Sequence, residues 1–213
     1  PTMIVETMVK AAMVEFKRKL EHFCKGADFS ELTPELGERI GRELQGALAV
    51  AGVAGYRAFL LSYETQADEV HDAQGEVYRF KQVRSKKYMT PFGSMRLPRR
   101  CYQNKKDSKS YVPLEASWGM EGEYMTPQVL EAVLFSCALV TPEETVQLLR
   151  KCALFKPHPS TVKRAIKKTG KQIEAHREAL DRAVRAEEQP PADTRALVVS
   201  ADGATVLMNE KGL

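Results

Sequence analysis

Three times in this chain a threonine is followed at once by a proline at the head of an apolar-periodic segment: Thr33-Pro34, Thr126-Pro127 and Thr141-Pro142. The threonine can cap a helix, and the proline takes the first helical turn, where its missing N–H costs nothing. Thr141 also has Glu144 three residues on, which completes a capping box. This spacing predicts a helix from Thr33 to about Ser62. A second, Met125 to Val140, carries Val129, Leu130, Val133, Leu134 and Cys137 on one face, and a third starts at Thr141. Small residues in the first (Gly37, Gly41, Ala47, Ala51, Gly55) suit close packing against a neighbouring helix. Met3 to Cys24 is a further amphipathic helix, with Val9, Met13, Phe16, Leu20 and Phe23 alternating at four and three. That spacing fits a coiled-coil seam for a homodimer and equally a helix lying on its own domain. Lys25-Gly26 ends it.

From Gly75 the pattern turns to β. Val77 to Met89 interleaves aromatic, β-branched and basic residues, Phe92-Gly93 makes a turn, and Ser94 to Tyr102 returns. Asn104 to Ser110 is a polar loop, and Tyr111-Val112-Pro113-Leu114 closes a two- or three-stranded ribbon. Pro98 confines the returning strand to an edge or a bulge. The reading is mainly α with a basic β-ribbon, an α+β chain. Its parts are an N-terminal helical region (1–74), the ribbon (75–116), a helical domain (117–187) and a linker (188–195) marked by Glu-Glu-Gln-Pro-Pro.

Charge singles out the ribbon. Between Arg79 and Lys109 lie eleven Lys or Arg and one acid, Asp107. The chain has 32 basic and 28 acidic residues, so the remainder sums to about minus six. A basic arm on a mildly acidic body points to a polyanion, double-stranded DNA foremost, through Arg84, Lys86, Lys87, Arg96, Arg99 and Arg100. A lysine-rich hairpin that merely keeps its edges soluble has the same composition.

Thr141 to Gly170 reads as a helix-turn-helix. The first helix bears Val146, Leu148, Leu149 and Cys152, and Ala153 to Lys156 connects. The second turns Val162, Ile166 and Ile173 inward and presents Ser160, Thr161, Lys163, Arg164, Lys167, Lys168 and Lys171. Hydroxyls near a helix start can approach bases, and cations along it can neutralise phosphates. An ordinary helical hairpin with a solvated basic face also fits.

Cys24, Cys101, Cys137 and Cys152 have no paired C-x-x-C spacing, and Cys137 and Cys152 read as reduced core thiols. The histidines are scattered, so no zinc site is expected. Ala47 to Leu61, broken by Gly52, Gly55 and Arg57, is too short to span a bilayer. With no secretory signal evident, the expected location is the cytoplasm. Ala196 to Ala201 reads as a buried-type strand, followed by Asp202-Gly203. That dipeptide is a hairpin turn by periodicity. If the strand instead runs through Asp202, its carboxylate is costly there unless it binds metal or does chemistry.

Several segments occur together in order: Pro91-Phe92-Gly93-Ser94-Met95-Arg96-Leu97-Pro98-Arg99-Arg100, Tyr111-Val112-Pro113-Leu114, Trp118-Gly119-Met120, Cys152-Ala153-Leu154-Phe155, Ala192-Asp193-Thr194-Arg195 and Asp202-Gly203-Ala204. From about Val83 to Met208 the set resembles the N-terminal part of a bacterial DDE-type insertion-sequence transposase of the Kra branch. The resemblance implies a ribonuclease H-like α/β domain after the linker, begun in 196–213. Asp202 would be its first catalytic and metal-binding acid, and two Mg²⁺ ions would drive phosphoryl transfer. The second Asp and the Glu would lie further downstream, so 1–213 alone is expected to bind DNA without cleaving it. Members of the family often carry cysteines in the ribbon; here only Cys101 does. A non-catalytic helix-turn-helix DNA-binding protein, and a helical interaction protein using the Met3 to Cys24 seam, are the alternative classes.

Overall fold

The computed structural model of the chain describes residues 2–187. It divides into two compact units, residues 1–167 and 168–213. In the first, α1 (Thr2–Lys25) and α2 (Pro34–Leu61) form a helical hairpin. Four strands follow, β1 (Glu69–His71), β2 (Val77–Thr90), β3 (Gly93–Gln103) and β4 (Ser110–Tyr111), in one antiparallel sheet of order β1-β2-β3-β4. Then come α3 (Pro113–Trp118), α4 (Pro127–Leu139), α5 (Pro142–Cys152) and α6 (Pro159–Ala175). The last helix crosses into the second unit, whose other described element is α7 (Arg177–Glu187).

The Thr-Pro signals start helices as expected. Thr33 accepts from Leu36 N at 3.2 Å, and Thr141 and Glu144 form the capping box. Thr126 is different: its hydroxyl makes no cap bond and is buried without a partner. Its backbone N–H instead donates to Met89 O at 3.0 Å, while Met89 N donates to Tyr124 O at 2.8 Å. Those two bonds fasten the end of β2 to the segment entering α4.

Two cores result. Tyr88, Met95 and Leu97 from one sheet face pack with Leu60, Leu114 and Met120, so α2 and α3 cover that face. Met89, on the opposite face, joins Val129, Val133, Val146, Leu149, Phe155 and Val162 in a cluster that binds α4, α5 and α6 together. Val129, Val133 and Val162 are fully buried, each contributing about 1.5–3 kcal/mol of transfer free energy. Gly52 seats the β2–β3 turn: an added Cβ there would lie 2.3 Å from the Phe92 ring.

Several expectations change. The ribbon has four strands, because β1 forms ahead of Gly75 and pairs Glu69 to His71 with Arg79 to Val77. Pro113 opens the helix α3 and does not continue a strand. The β irregularity lies between Phe80 and Gln82; Pro98 pairs in register with Ser85. Its other side is an edge, since β4 reaches only Tyr102 and Gln103. Cys152 is exposed and Cys137 only half-buried; among the four thiols Cys101 is the buried one. Ile173 is 52% exposed, not turned inward. On α1 the expected seam holds in part: Phe16, Leu20 and Phe23 are half-buried, but Val9 and Met13 are exposed, and Met8 and Ala12 meet Gly55 while Lys19 reaches Glu43. The close approach was anticipated at Gly55, whereas Gly37 and Gly41 have open space around them. By length and composition the 28-residue α2 could also cross a bilayer, because the apolar run extends further than Ala47 to Leu61. Here its C-terminal half is wedged between α1 and the sheet.

Candidate nucleic-acid interface

The cations of the ribbon divide into two sets according to the sheet face they occupy. Strand alternation puts Gln82, Arg84, Lys86 and Tyr88 of β2 on the face of Leu97, Arg99 and Cys101 of β3. There Glu115 of α3, only 6% exposed, is the focus. It lies 2.7 Å from Lys86 Nζ and 3.1 Å from Arg99 Nε, and it accepts a hydrogen bond from the Tyr88 hydroxyl. The Arg99 N–H is not aligned on the carboxylate, so that contact is an ion pair and not a hydrogen bond. Burial first, then the hydrogen bond to Glu115 and that group's charge, push the Tyr88 hydroxyl far above its ordinary pKa, so it stays a donor. A buried carboxylate is tolerable only with such partners, so Lys86 and Arg99 are committed to the fold.

Arg100 is committed in another way. Its guanidinium stacks 3.8 Å over the Phe80 ring and donates to the Tyr102 hydroxyl at 3.1 Å and to Ala67 O at 3.2 Å. Arg84 is exposed, and with the Gln82 amide oxygen turned toward it two of its nitrogens lie 2.9 Å from that oxygen.

Lys87 and Arg96 belong to the second set. They are direct partners across β2 and β3, both exposed, and no acid pairs with either among the described residues. Like charges opposite each other in a ladder are unfavourable, so an anion between them would relieve the repulsion. Lys87 shares its sheet face with Met89, two residues on, and Met89 belongs to the three-helix core. The pair therefore borders the helical cluster.

On α6 the helical period is decisive. Val162, Ala165 and the half-buried Ile166 form the inward side. Ser160, Arg164 and Lys167 fall on the opposite side, exposed, and Lys171 follows one turn later. Thr161 is half-buried, and Lys163 is bound to Glu143 of α5 at 2.7 Å. Lys168 is exposed. Sequence reasoning missed His158: its Nδ1 lies 2.8 Å from Ser160 Oγ and accepts from Ser160 N at 3.3 Å, ordering the start of α6. Only the short His-x-Ser spacing ahead of the helix could have signalled it.

Among the described residues no group of three or more His, Cys, Asp or Glu is arranged to hold a metal ion. Asp202, the carboxylate that the family resemblance assigns to Mg²⁺, lies outside the described residues, as do the linker 188–195 and the strand Ala196 to Ala201.

The fold and this surface define an α+β protein with a cationic strand face beside a three-helix cluster. Compared with known proteins, the chain matches no family model, no curated protein and no solved structure.

Proposed function

We propose that this chain binds double-stranded DNA, with α5 and α6 acting as a helix-turn-helix and the exposed ribbon cations as a second phosphate contact. The observation that carries the reading is the α6 surface: Arg164 and Lys167, exposed and without an acid partner among the described residues, stand opposite the buried Val162 and Ala165, with Ser160 at the same side's start. A helix that enters the major groove by its first turns needs that order of hydroxyl and cations. The family resemblance extends the proposal to the DNA-binding part of a DDE-type transposase with Asp202 as its first metal-binding acid. That extension rests on the ordered segments between Pro91 and Ala204.

The proposed partner of the helical hairpin is a second copy of the chain. Val5, Val9, Met13 and Leu48 are each about half exposed or more (52%, 48%, 59% and 57%). Apolar area of that kind on two adjoining helices supports association into a four-helix arrangement.

Selection from a pool of random duplexes tests the central reading. An enriched motif is expected. Ser160→Ala should change the motif, and Arg164→Ala should weaken binding to all sequences alike. Failure of the native chain to retain any duplex at low ionic strength overturns the proposal.

A further inference from the structure

The far end of the sheet carries a second pair of uncommitted cations on an ordered loop. Between β3 and β4, Asn104 is 5% exposed and organises the turn. Its Oδ1 accepts from Lys106 N at 2.7 Å, its N–H donates to Lys109 O at 2.9 Å, and its Nδ2 donates to Glu76 Oε2 at 2.9 Å. Gln103 Nε2 donates to Ser108 O at 2.8 Å, and Ser108 takes a positive φ of 59°. Such a conformation is uncommon for a residue with a side chain, and the surrounding bonds hold it. Lys109 is neutralised by Asp107 at 3.0 Å. Lys105 and Lys106 are exposed and unpaired among the described residues, and they line an open cleft of about 380 Å³ with Glu76 and Arg79.

The opposite end of the same strands is anchored to the helical cluster. Met89 shares one buried cluster with Val162 of α6, and a Cβ on Gly93 would lie 3.6 Å from Leu154 O in the α5–α6 connector. From the Met89–Ser94 pair to Gln103 the ladder runs nine residues along β3. At roughly 3.3 Å per residue that is about 30 Å. One turn of B-form DNA advances about 34–36 Å. The sheet thus holds Lys105 and Lys106 close to one helical turn away from the α6 end.

We infer that Lys105 and Lys106 form a distal phosphate-contact site that meets the duplex about one turn from the helix-turn-helix. The sheet acts as the spacer between the two grips. This rests on the DNA-binding reading above and deepens it: the partner must be a duplex long enough to reach both ends.

The test compares salt dependence of binding for the native chain and for Lys105→Gln/Lys106→Gln, on a hairpin duplex of about 6 base pairs, too short to reach both ends, and on a duplex of about 20 base pairs. Both side chains are exposed, so the variant should keep the native circular dichroism. On the longer duplex the native chain should have a slope of log K against log salt steeper than the variant's by about 1.8, or about 0.9 for each contact. On the shorter duplex the two slopes should coincide. Equal slopes on the longer duplex overturn the distal site, and an equal loss on both lengths overturns the spacing. If the native chain binds neither duplex, the DNA-binding reading falls and this inference with it.

Discussion

Lys87 and Arg96 face each other across the central strand pair with no carboxylate among the described residues to separate their charges, although Glu115, on the other face of the same two strands, gathers Lys86 and Arg99. One short stretch of ladder therefore holds cations with opposite roles. Lys86 and Arg99 keep a buried acid in the fold, and Lys87 and Arg96 leave their charge exposed.

A charge reversal at one member of the exposed pair should separate stability from binding. Arg96→Glu turns a like-charge pair into an opposite-charge one, a gain of about 0.5 kcal/mol within the usual range for cross-strand pairs. Duplex affinity should fall at the same time. Thermal melting and fluorescence anisotropy on the same preparation check both.

Glu115→Ala should be costly. It leaves Lys86 and Arg99, whose side chains are 25% and 14% exposed, without their counter-charge and strands the Tyr88 hydroxyl. Removing one partner of a buried ion pair costs on the order of 3–5 kcal/mol, readable as a shift of the urea midpoint. Changing Lys86 and Arg99 to Met together with Glu115→Leu should recover much of that loss.

Glu64 supplies a pH signature. Both its carboxylate oxygens are buried without an aligned hydrogen-bond partner. Burial raises its pKa, against the opposing pull of the Arg100 N–H and of the Arg100 and Arg99 charges. The folded chain therefore holds this proton more tightly than the unfolded chain, and the group's contribution to stability falls as pH rises from the ordinary carboxylate value through the folded one. Glu64→Gln should stabilise the fold at neutral pH, with the gain vanishing in acid. Urea titrations at two pH values decide it; an equal effect at both would remove Glu64 as the source.

On α6, Val162→Ala should cost about 2 kcal/mol, because two methyl groups leave a fully buried site. Lys167→Ala should stay within about 0.5 kcal/mol of the native stability while weakening DNA binding. Similar melting shifts for both would mean that the inward and outward sides of the helix are reversed.

The local chemistry of this fold was legible in the sequence, and its long-range partnerships were not. Thr33, Thr141 and the Phe92-Gly93 turn act through neighbours within four residues, so their roles could be read directly. Lys86 and Arg99 were grouped with the DNA contacts because their shared partner is Glu115, which lies 29 residues beyond Lys86 on a helix that Pro113 was not expected to start. Arg100 was grouped likewise; its rings and carbonyl come from Phe80, Tyr102 and Ala67. The α1 seam splits: Phe16, Leu20 and Phe23 are half-buried, whereas Val9 and Met13 stay exposed because Gly55 draws in the neighbouring face of Met8 and Ala12. On α6 the outward cations were correctly separated from Val162, since a single helical period governs both sides.

The division of the cations is tested most directly by salt-dependent anisotropy titrations on one fixed duplex, with Lys87→Ala/Arg96→Ala beside the native chain. Stability should stay within about 0.5 kcal/mol of the native chain, with relief of the like-charge pair acting in its favour, and the slope of log K against log salt should fall by about 1.8 for the two lost phosphate contacts. An unchanged slope, or binding by the native chain that is absent or indifferent to salt, would contradict it.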